Sequence, residues 1–296
     1  MSIALETTDR LTPFMLEGGA VRGRVVALSA VADTVLGRYD YPAHVAQLLG
    51  ELLAAAAMLS ANLKQEGVFT LQIRGRGAVP LVVVDAVYGG ALRGFAEVPE
   101  SSVETINALT DYSPQALVGV EGYLAITLDP GVGMQRYQGV VALDGDSVAH
   151  ALTSYFTHSE QIEAQVMLSV ARASHGWRVG GMMLERMPEV AAAQADAWPY
   201  ARAIAATVKP AELLDPLLDA PTLLYRLFHE QGVWVYPSHM LSVGCRCSRQ
   251  RMLDLLGSMP LTDRAEMVVD GAVRVHCQFC NKTERFTPAE LGLSVN

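Results

Sequence analysis

The residues with the clearest chemical potential are four cysteines near the end of the chain, because residues 1–244 contain none. They form two close pairs, Cys245-Arg-Cys247 and Cys277-Gln-Phe-Cys280. Two such pairs can converge on one ion as four thiolate ligands, which is the tetrahedral donor set of structural zinc. Cys-x-x-Cys is the common zinc knuckle, whereas the tighter Cys-x-Cys presents both sulfurs on one face of an extended backbone. We therefore predict one zinc ion per chain, with Cys245, Cys247, Cys277 and Cys280 as ligands.

The same sulfurs are compatible with two roles. A purely structural zinc site is the simpler one, because ligand spacing alone does not report function. A redox-sensitive centre is the other, because the thiolate that binds zinc is also the form of cysteine that attacks peroxide. Each pair is local enough to close as a disulfide, with more strain in the Cys245–Cys247 ring than in the Cys277–Cys280 ring. The spacing does not decide between these roles.

Composition and charge restrict the class of protein. The chain has 296 residues, of which 51% are hydrophobic and 18% charged, as in a folded globular protein. A net charge of −9 disfavours a nucleic-acid-binding surface. Residues 1–10 lack the apolar run of a secretory signal, and the apolar stretch 48–63 is interrupted by Glu51 and too short to span a bilayer. We expect a cytoplasmic protein without nucleic-acid or membrane partners, whose reduced cysteines hold metal.

Hydrophobic alternation predicts strands in the first part of the chain. Residues 21–28 alternate and are β-branched, with Arg22 and Arg24 on one face. Residues 68–75 and 81–87 alternate in the same way on either side of a Gly-Arg-Gly turn, which predicts an antiparallel pair. Further strand-like stretches follow between glycine and proline turns.

Two helices accompany these strands. Residues 43–63 are rich in helix formers and apolar on most sides, which predicts a buried helix. A second helix starts at Asp146-Ser147 and has an apolar face made of Val148, Leu152, Tyr155 and Phe156. His158, Ser159 and Glu160 follow that face, but three adjacent residues cannot surround one reacting centre, so we expect a helix-end role for them. Together the pattern predicts an α+β core domain over residues 1–188.

Residues 189–240 have a different character. Prolines divide them into short helical pieces, and we interpret them as a helical, metastable linker. A solvated linker would not carry so many large apolar residues, so the segment must lie folded on another surface. These residues are Trp198, Tyr200, Leu213, Leu214, Leu217, Leu218, Leu224, Leu227 and Phe228. Residues 241–296 then form a small zinc-binding domain.

The motifs do not favour an enzyme. No Gly-x-Gly-x-x-Gly opens a helix, and the core offers no convergent set of polar residues. Cys277-x-x-Cys280 resembles a thiol oxidoreductase motif, but such motifs sit at a helix N-terminus, whereas Val275-His276 runs straight into this one. His276 is a further possible ligand, although four thiolates already complete a tetrahedron. The non-enzymatic alternative is a zinc-ribbon structural or adaptor protein without redox switching.

Several segments together resemble the heat-shock protein 33 family of redox-regulated chaperones, over about residues 12–291. They are Tyr41-Pro-Ala-His-Val45, Leu48-Leu-Gly-Glu-Leu-Leu-Ala-Ala55, Tyr137-Gln-Gly-Val-Val141, Tyr155-Phe-Thr-His-Ser-Glu-Gln161, Arg226-Leu-Phe-His-Glu230, Cys245-Arg-Cys-Ser-Arg249 and Cys277-Gln-Phe-Cys280. The two cysteine pairs fall where that family holds its zinc. Glu284 departs from the pattern, because the resemblance implies an aromatic residue there; this bears on packing and not on ligation.

The resemblance implies an ATP-independent holdase, inactive when reduced and zinc-bound. On oxidation it implies the disulfides Cys245–Cys247 and Cys277–Cys280, loss of zinc, unfolding of the linker, and binding of unfolded or partially folded client proteins. It also implies a homodimer on activation.

The residues supply a physical reason for such a switch. A domain the size of residues 245–296 has a marginal apolar core, and structural zinc supplies on the order of 10 kcal/mol of folding free energy. If the linker pieces depend on that domain, oxidising the thiolates makes them unstable.

Overall fold

The computed structural model describes residues 9–61, 63, 67–131, 133–143, 145–174, 176–188 and 195–293. The chain divides into two compact units, Met1–Val243 and Gly244–Asn296. Helices and strands are mixed in both, which confirms the predicted α+β class. The division into core, linker and zinc domain stays a prediction, and residues 189–194, where the linker was predicted to begin, lie outside the described residues.

The first unit contains most of the secondary structure. Its described elements are β1 (Arg10–Leu16), β2 (Val21–Leu28), α1 (Ala30–Leu36), α2 (Ala43–Ser60), β3 (Val68–Arg74), β4 (Leu81–Val87), β5 (Ala91–Glu97), α3 (Val103–Asn107), α4 (Pro114–Val118), β6 (Tyr123–Asp129), β7 (Tyr137–Ala142), α5 (Val148–His158), β8 (Ala164–Ala173), β9 (Gly176–Arg186), α6 (Ala197–Ala205), α7 (Pro210–Leu214), α8 (Ala220–Phe228), β10 (Val233–Val235), β11 (His239–Met240) and β12 (Ser242–Val243). The strands predicted at residues 21–28, 68–75 and 81–87 are confirmed, and the last two pair antiparallel as β3 and β4.

One sheet has the strand order β10-β1-β2-β9-β8, with β11 paired to β1. Because side chains alternate along a strand, its two faces carry different residues. Val26 and Val179 point to one face and join the main core. Val25 and Met182 point to the other face, which is also apolar. This sheet therefore needs cover on both faces.

The second sheet has the order β12-β5-β4-β3-β6-β7, and α2 packs against strands of both sheets. Small residues allow this close approach. A Cβ at Gly50 would lie 2.8 Å from a methyl group of Val170 on β8, and a Cβ at Gly94 on β5 would lie 3.0 Å from Leu49 of α2. The contact thus depends on glycine on the helix side in one case and on the strand side in the other. α2 is the central helix of the first unit.

The predicted helix over residues 43–63 is confirmed as α2, although it ends at Ser60. Its 18 residues, with a mean hydropathy of 1.4, reach the length and composition of a short membrane span, so the length argument made for residues 48–63 is not sufficient. Burial is the better argument, because 78% of the helix lies inside the unit, as in a core helix. α5 also agrees with its prediction: Ser147 caps it by accepting a hydrogen bond from the backbone N–H of His150, and its predicted apolar face is buried.

The outer face of the first sheet is covered by α6, α7 and α8, which belong to the predicted linker. Phe228 of α8 is fully buried, with its ring centroid 6.0 Å from that of Phe14 on β1. Trp198 of α6 and Leu213 of α7 are buried in the same cluster. The segment therefore lies folded on another surface, as predicted.

Two of its apolar residues do not take part in that cover. Leu217 is 85% exposed and Tyr200 is 39% exposed, although both belong to the apolar set from which the folded segment was predicted. Leu217 follows the end of α7, where its backbone N–H bonds to the carboxylate of Asp215, and Tyr200 directs its hydroxyl to Glu230. These local polar contacts hold both residues at the surface.

The second unit is small. Its described elements are α9 (Arg249–Gly257), α10 (Leu261–Glu266), β13 (Val273–His276) and β14 (Thr283–Phe286). The hairpin β13–β14 is antiparallel. Its fully buried apolar core consists of Met252, Leu256, Val273, Phe286 and Leu291.

Gly180 on β9 gives a way to test how the cover is attached. A Cβ at this position would lie 2.2 Å from the carbonyl oxygen of Leu213, which is backbone and cannot rotate away. We expect Gly180→Ala to push α7 off the sheet at a cost of about 1–3 kcal/mol, as for other overpacked sites. Hydrogen exchange of a peptide that covers α7 should become about tenfold faster or more.

The matched control is Gly181→Ala, because residue 181 points to the opposite face of the sheet. Its Cβ would lie 3.0 Å from the flexible end of Met58 on α2 and 3.2 Å from the carbonyl oxygen of Met167 on β8, which is a milder overlap than at Gly180 and does not involve α7. Exchange in α7 should stay at the wild-type rate in this variant. Unchanged α7 exchange in Gly180→Ala would show that α7 is not packed on the strand backbone.

Candidate metal centre

The second cysteine pair lies in the turn of the hairpin β13–β14. The backbone N–H of Cys277 donates to the carbonyl oxygen of Lys282 at 2.9 Å, and the N–H of Asn281 donates to the carbonyl oxygen of Cys277 at 2.8 Å. Asn281 has a φ of 60°, in the left-handed region that asparagine tolerates better than most residues. The turn therefore curls the chain so that Cys277 and Cys280 present their sulfurs to one side.

The first pair lies in the irregular segment just before α9. Ser248 is the N-cap of this helix and accepts a hydrogen bond from the backbone N–H of Arg251 at 3.1 Å. The Arg251 guanidinium in turn donates to the carbonyl oxygen of Arg246, the residue between the two cysteines, at 2.6 Å. The helix start thus fixes the backbone that carries Cys245 and Cys247.

The fold brings the four predicted ligands together. Their sulfur atoms all lie within 4.8 Å of one another. The Cys245 and Cys277 sulfurs are 3.7 Å apart, and the Cys247 and Cys280 sulfurs are 3.3 Å apart. Zinc–sulfur bonds of about 2.3 Å give a tetrahedron with edges of about 3.8 Å, so these distances fit a tetrahedral thiolate site. The sulfurs are half-buried, which leaves them within reach of small molecules in solution.

The environment shifts the pKa values of Cys245, Cys247 and Cys280 in different directions. Burial opposes ionisation of Cys245, yet hydrogen bonds from the backbone N–H of Cys247 and from the neighbouring thiols lower its pKa to about 6. Burial raises the pKa of Cys247, and the neighbouring thiols and the charge on Cys245 raise it further. Burial also raises the pKa of Cys280. Cys245 therefore ionises readily, whereas Cys247 and Cys280 would need the positive charge of a metal ion beside them to ionise.

Arg249, at the start of α9, connects this helix to β14 and to the segment that follows β14. Its guanidinium lies 4.5 Å from the centroid of the buried Phe286 ring and donates to the carbonyl oxygen of Arg285 at 2.8 Å. It also forms ion pairs with Glu284 at 3.2 Å and with Glu290 at 2.5 Å. Where the resemblance implied an aromatic residue, Glu284 thus forms an ion pair with Arg249, and Arg249 makes a cation–π contact with Phe286.

Sequence reasoning assigned no role to Ser248 or Arg249. The signal for Ser248 was present, because a serine directly before an apolar helical run is a typical N-cap. Arg249 had no such signal, because its partners are distant in sequence. His276 does not belong to the sulfur group; its Nδ1 lies 3.2 Å from the Thr283 hydroxyl across the hairpin.

The three adjacent polar residues His158, Ser159 and Glu160 do not form a common reacting centre. His158 contacts the carbonyl oxygen of Ser154 through Nδ1 at 2.9 Å, and the backbone N–H of Ser159 donates to the carbonyl oxygen of Tyr155 at 2.8 Å. Glu160 accepts hydrogen bonds from the hydroxyls of Tyr137 and Tyr155. His158 and Ser159 thus take the helix-end role expected of them, and Glu160 belongs to a different polar group.

Comparison with known proteins gives a consistent result. The family described as Hsp33 protein matches residues 9–287. A 33 kDa chaperonin of Caulobacter vibrioides is 39% identical over 291 residues, covering 95% of each chain. A 33 kDa chaperonin of Pseudomonas savastanoi pv. phaseolicola is 36% identical over 294 residues, covering 97% of this chain and 94% of its own.

A solved structure has the same fold. The crystal structure of the 33 kDa chaperonin (heat shock protein 33 homolog) of Thermotoga maritima superposes with a TM-score of 0.81, covering 96% of this chain and 97% of that chain. The sequence identity of that pair is 21%, so the likeness concerns the fold.

The ligand assignment can be tested with cobalt, which replaces zinc in thiolate sites and is visible by absorption. The wild-type chain should bind one equivalent with a strong thiolate-to-cobalt band. Cys280→Ser should weaken binding by more than the roughly 10- to 100-fold loss that changes outside the ligand shell cause. His276→Ala is the matched control, since it lies on the same hairpin and should retain one equivalent. Full binding by Cys280→Ser, or loss of binding by His276→Ala, would contradict the assignment.

Proposed function

The chain belongs to the Hsp33 protein family, and from this premise we propose that it is an ATP-independent holdase controlled by the redox state of its four cysteines. Its relatives are named 33 kDa chaperonins, and the Hsp33 family consists of chaperones rather than enzymes. The observation that carries the proposal is the group of four thiol sulfurs within 4.8 Å, in a unit with a small core. Reduced thiols of this kind belong in a reducing compartment such as the cytoplasm.

In the reduced state Cys245, Cys247, Cys277 and Cys280 hold one zinc ion. A bound zinc ion supplies positive charge that keeps all four sulfurs as thiolates, and it links the hairpin to the segment before α9. Below about 70 residues an apolar core rarely supplies more than about 3–5 kcal/mol. The cysteines therefore contribute most of the folding free energy of the second unit through the metal they bind.

Oxidation removes these ligands by ordinary thiol chemistry. A thiolate attacks hydrogen peroxide, the O–O bond breaks, and the sulfur becomes a sulfenic acid while hydroxide leaves. A second thiol attacks that sulfur, a disulfide forms, and water leaves, so one peroxide accepts two electrons for each disulfide. Because a bound zinc ion would keep all four sulfurs as thiolates, the nucleophilic form of cysteine is already present in the reduced state.

We propose that the products are the disulfides Cys245–Cys247 and Cys277–Cys280. The 3.7 Å and 3.3 Å sulfur contacts in the reduced fold join the two motifs to each other instead. Those contacts exist only while the unit is folded. Cysteines within one motif stay close in an unfolded chain, because closing a short loop costs little entropy. Loss of the metal therefore favours pairing within each motif.

The surface for client proteins is proposed to be the apolar outer face of the first sheet together with the segment that covers it. Val25, Met182 and Leu184 on this face are buried beneath α6, α7 and α8. The covering helices have nine, five and nine residues, which is too short for stability in isolation. If folding of the second unit favours the covered state, loss of that unit exposes both surfaces. Unfolded or partially folded clients would bind there, and two activated chains would form a homodimer.

The switch can be tested by treating the reduced, zinc-loaded chain with peroxide while zinc release and aggregation of a thermally unfolding client are followed in the same samples. We expect release of one zinc per chain to rise together with suppression of aggregation, and thiol reductant with zinc to reverse both. Peptide mapping should find the disulfides within each motif.

In this experiment the variant Gly180→Ala tests the role of the covering helices independently of the metal site. Because it disturbs α7 and no cysteine, it should suppress aggregation partly without peroxide while its zinc is retained; Gly181→Ala should behave as wild type. Retention of zinc under peroxide with no gain in protection would overturn the proposal and leave a structural zinc-ribbon protein.

A further inference from the structure

The first unit contains a cavity of about 480 Å³ that is unrelated to the cysteines. It lies between the end of α2, strands β3 and β6, and helix α5. Its walls are mainly apolar and include Leu59, Phe69, Ile126, Leu128, Met134 and Phe156. Small-molecule sites typically enclose about 300–1,000 Å³ with apolar walls and a few convergent polar groups, so the cavity has the size of such a site.

Three polar side chains meet at one end of this cavity: Tyr137 of β7, Tyr155 of α5, and Glu160 just after α5. The hydroxyl of Tyr137 donates to Oε1 of Glu160 at 2.9 Å, and the hydroxyl of Tyr155 donates to the same oxygen. The two hydroxyl oxygens are 3.1 Å apart. Both phenolic hydrogens are therefore directed to one carboxylate oxygen.

The backbone is shaped to allow this arrangement. A Cβ at position 139 would lie 2.5 Å from the ring of Tyr155, so only glycine lets that ring lie against β7. Tyr155 is 3% exposed, and burial together with its hydrogen bonds to Glu160 and Tyr137 raises its pKa. Its hydroxyl therefore remains a hydrogen-bond donor to Glu160 across the physiological pH range.

This polar end offers acceptors and few donors. With both phenolic hydrogens committed to Oε1, what remains for a ligand is Oε2 of Glu160 and the lone pairs of the two hydroxyls. Within the part of the chain that the structure describes, no Lys, Arg or His side chain forms an ion pair with Glu160. A group that fits must donate hydrogen bonds and carry positive charge, whereas a carboxylate or phosphate would be repelled.

We propose that this cavity binds small amphipathic amines, with the apolar body between α2, β3, β6 and α5 and the ammonium group on Glu160. The proposal is independent of the holdase role, because all lining residues belong to the first unit and no cysteine lines the cavity.

The test uses the full-length, reduced, zinc-loaded chain and three probes with the same apolar body: 4-phenylbutylamine, 4-phenylbutan-1-ol and 4-phenylbutyrate. Isothermal titration at pH 7 should rank the amine first and the butyrate last. The alcohol can also donate a hydrogen bond to Glu160, so the advantage of the amine is the added ion pair, which at a half-exposed carboxylate should give about two- to fivefold higher affinity. Equal affinity for amine and butyrate would overturn the proposal, and this comparison needs no variant.

Two further measurements locate the site. Glu160→Gln should remove the preference for the amine over the alcohol, and continued alcohol binding would report an intact cavity. Glu163→Gln is the matched control with the same charge change outside the cavity. In ¹³C-methyl methionine spectra the amine should shift Met134, which lines the cavity, and leave Met252 of the second unit unshifted. An amine affinity that is the same in wild type and Glu160→Gln would contradict the assignment. So would amine binding that leaves the Met134 signal unshifted.

Discussion

The convergence of four sulfur atoms is the constraint on which the second unit depends. Among the described residues, the apolar cluster that it buries is small and consists of Met252, Leu256, Val273, Phe286 and Leu291. Such a core supplies little folding free energy, and the Arg249 ion pairs lie too near the surface to replace it. Ligation of one metal ion by these sulfurs, as proposed, would connect the hairpin β13–β14 to the segment just before α9. A small, metal-dependent unit is a suitable sensor, because a chemical change at the ligands becomes a change in folding.

The covering helices α6, α7 and α8 depend for their stability on packing against the first sheet. Short helices such as α7 have almost no intrinsic stability, so they persist only where their apolar residues are packed. Phe228 and Leu213 meet that need on the outer face of the first sheet, and Gly180 lets the α7 backbone approach the strand closely. That sheet face is in turn protected from water by the same helices. The outer face of the first sheet and the apolar faces of the covering helices thus shield each other from water. Loss of this packing would expose both.

Much of this was accessible from the sequence, because it depends on local pattern. The cysteine spacing, the alternation in β2, β3 and β4, and the apolar face of α5 each follow from neighbouring residues. The polar group of Tyr137, Tyr155 and Glu160 was not predicted, because it requires β7 to lie beside α5, with Gly139 under the Tyr155 ring. The exposure of Leu217 could not be predicted for the same reason: hydrophobicity indicates that a residue prefers burial, and only the packed fold shows whether a partner is within reach.

The central claim is that the thiolates of the second unit keep the covering helices in place, and hydrogen exchange measures this most directly. Exchange would be compared between the reduced, zinc-loaded chain and the chain oxidised by peroxide, with the buried helix α2 as internal reference. The account predicts that peptides within residues 197–228 lose protection on oxidation while α2 keeps it. Unchanged protection of residues 197–228 after zinc release would contradict the coupling, and equal loss in α2 would show general unfolding rather than release of a cover.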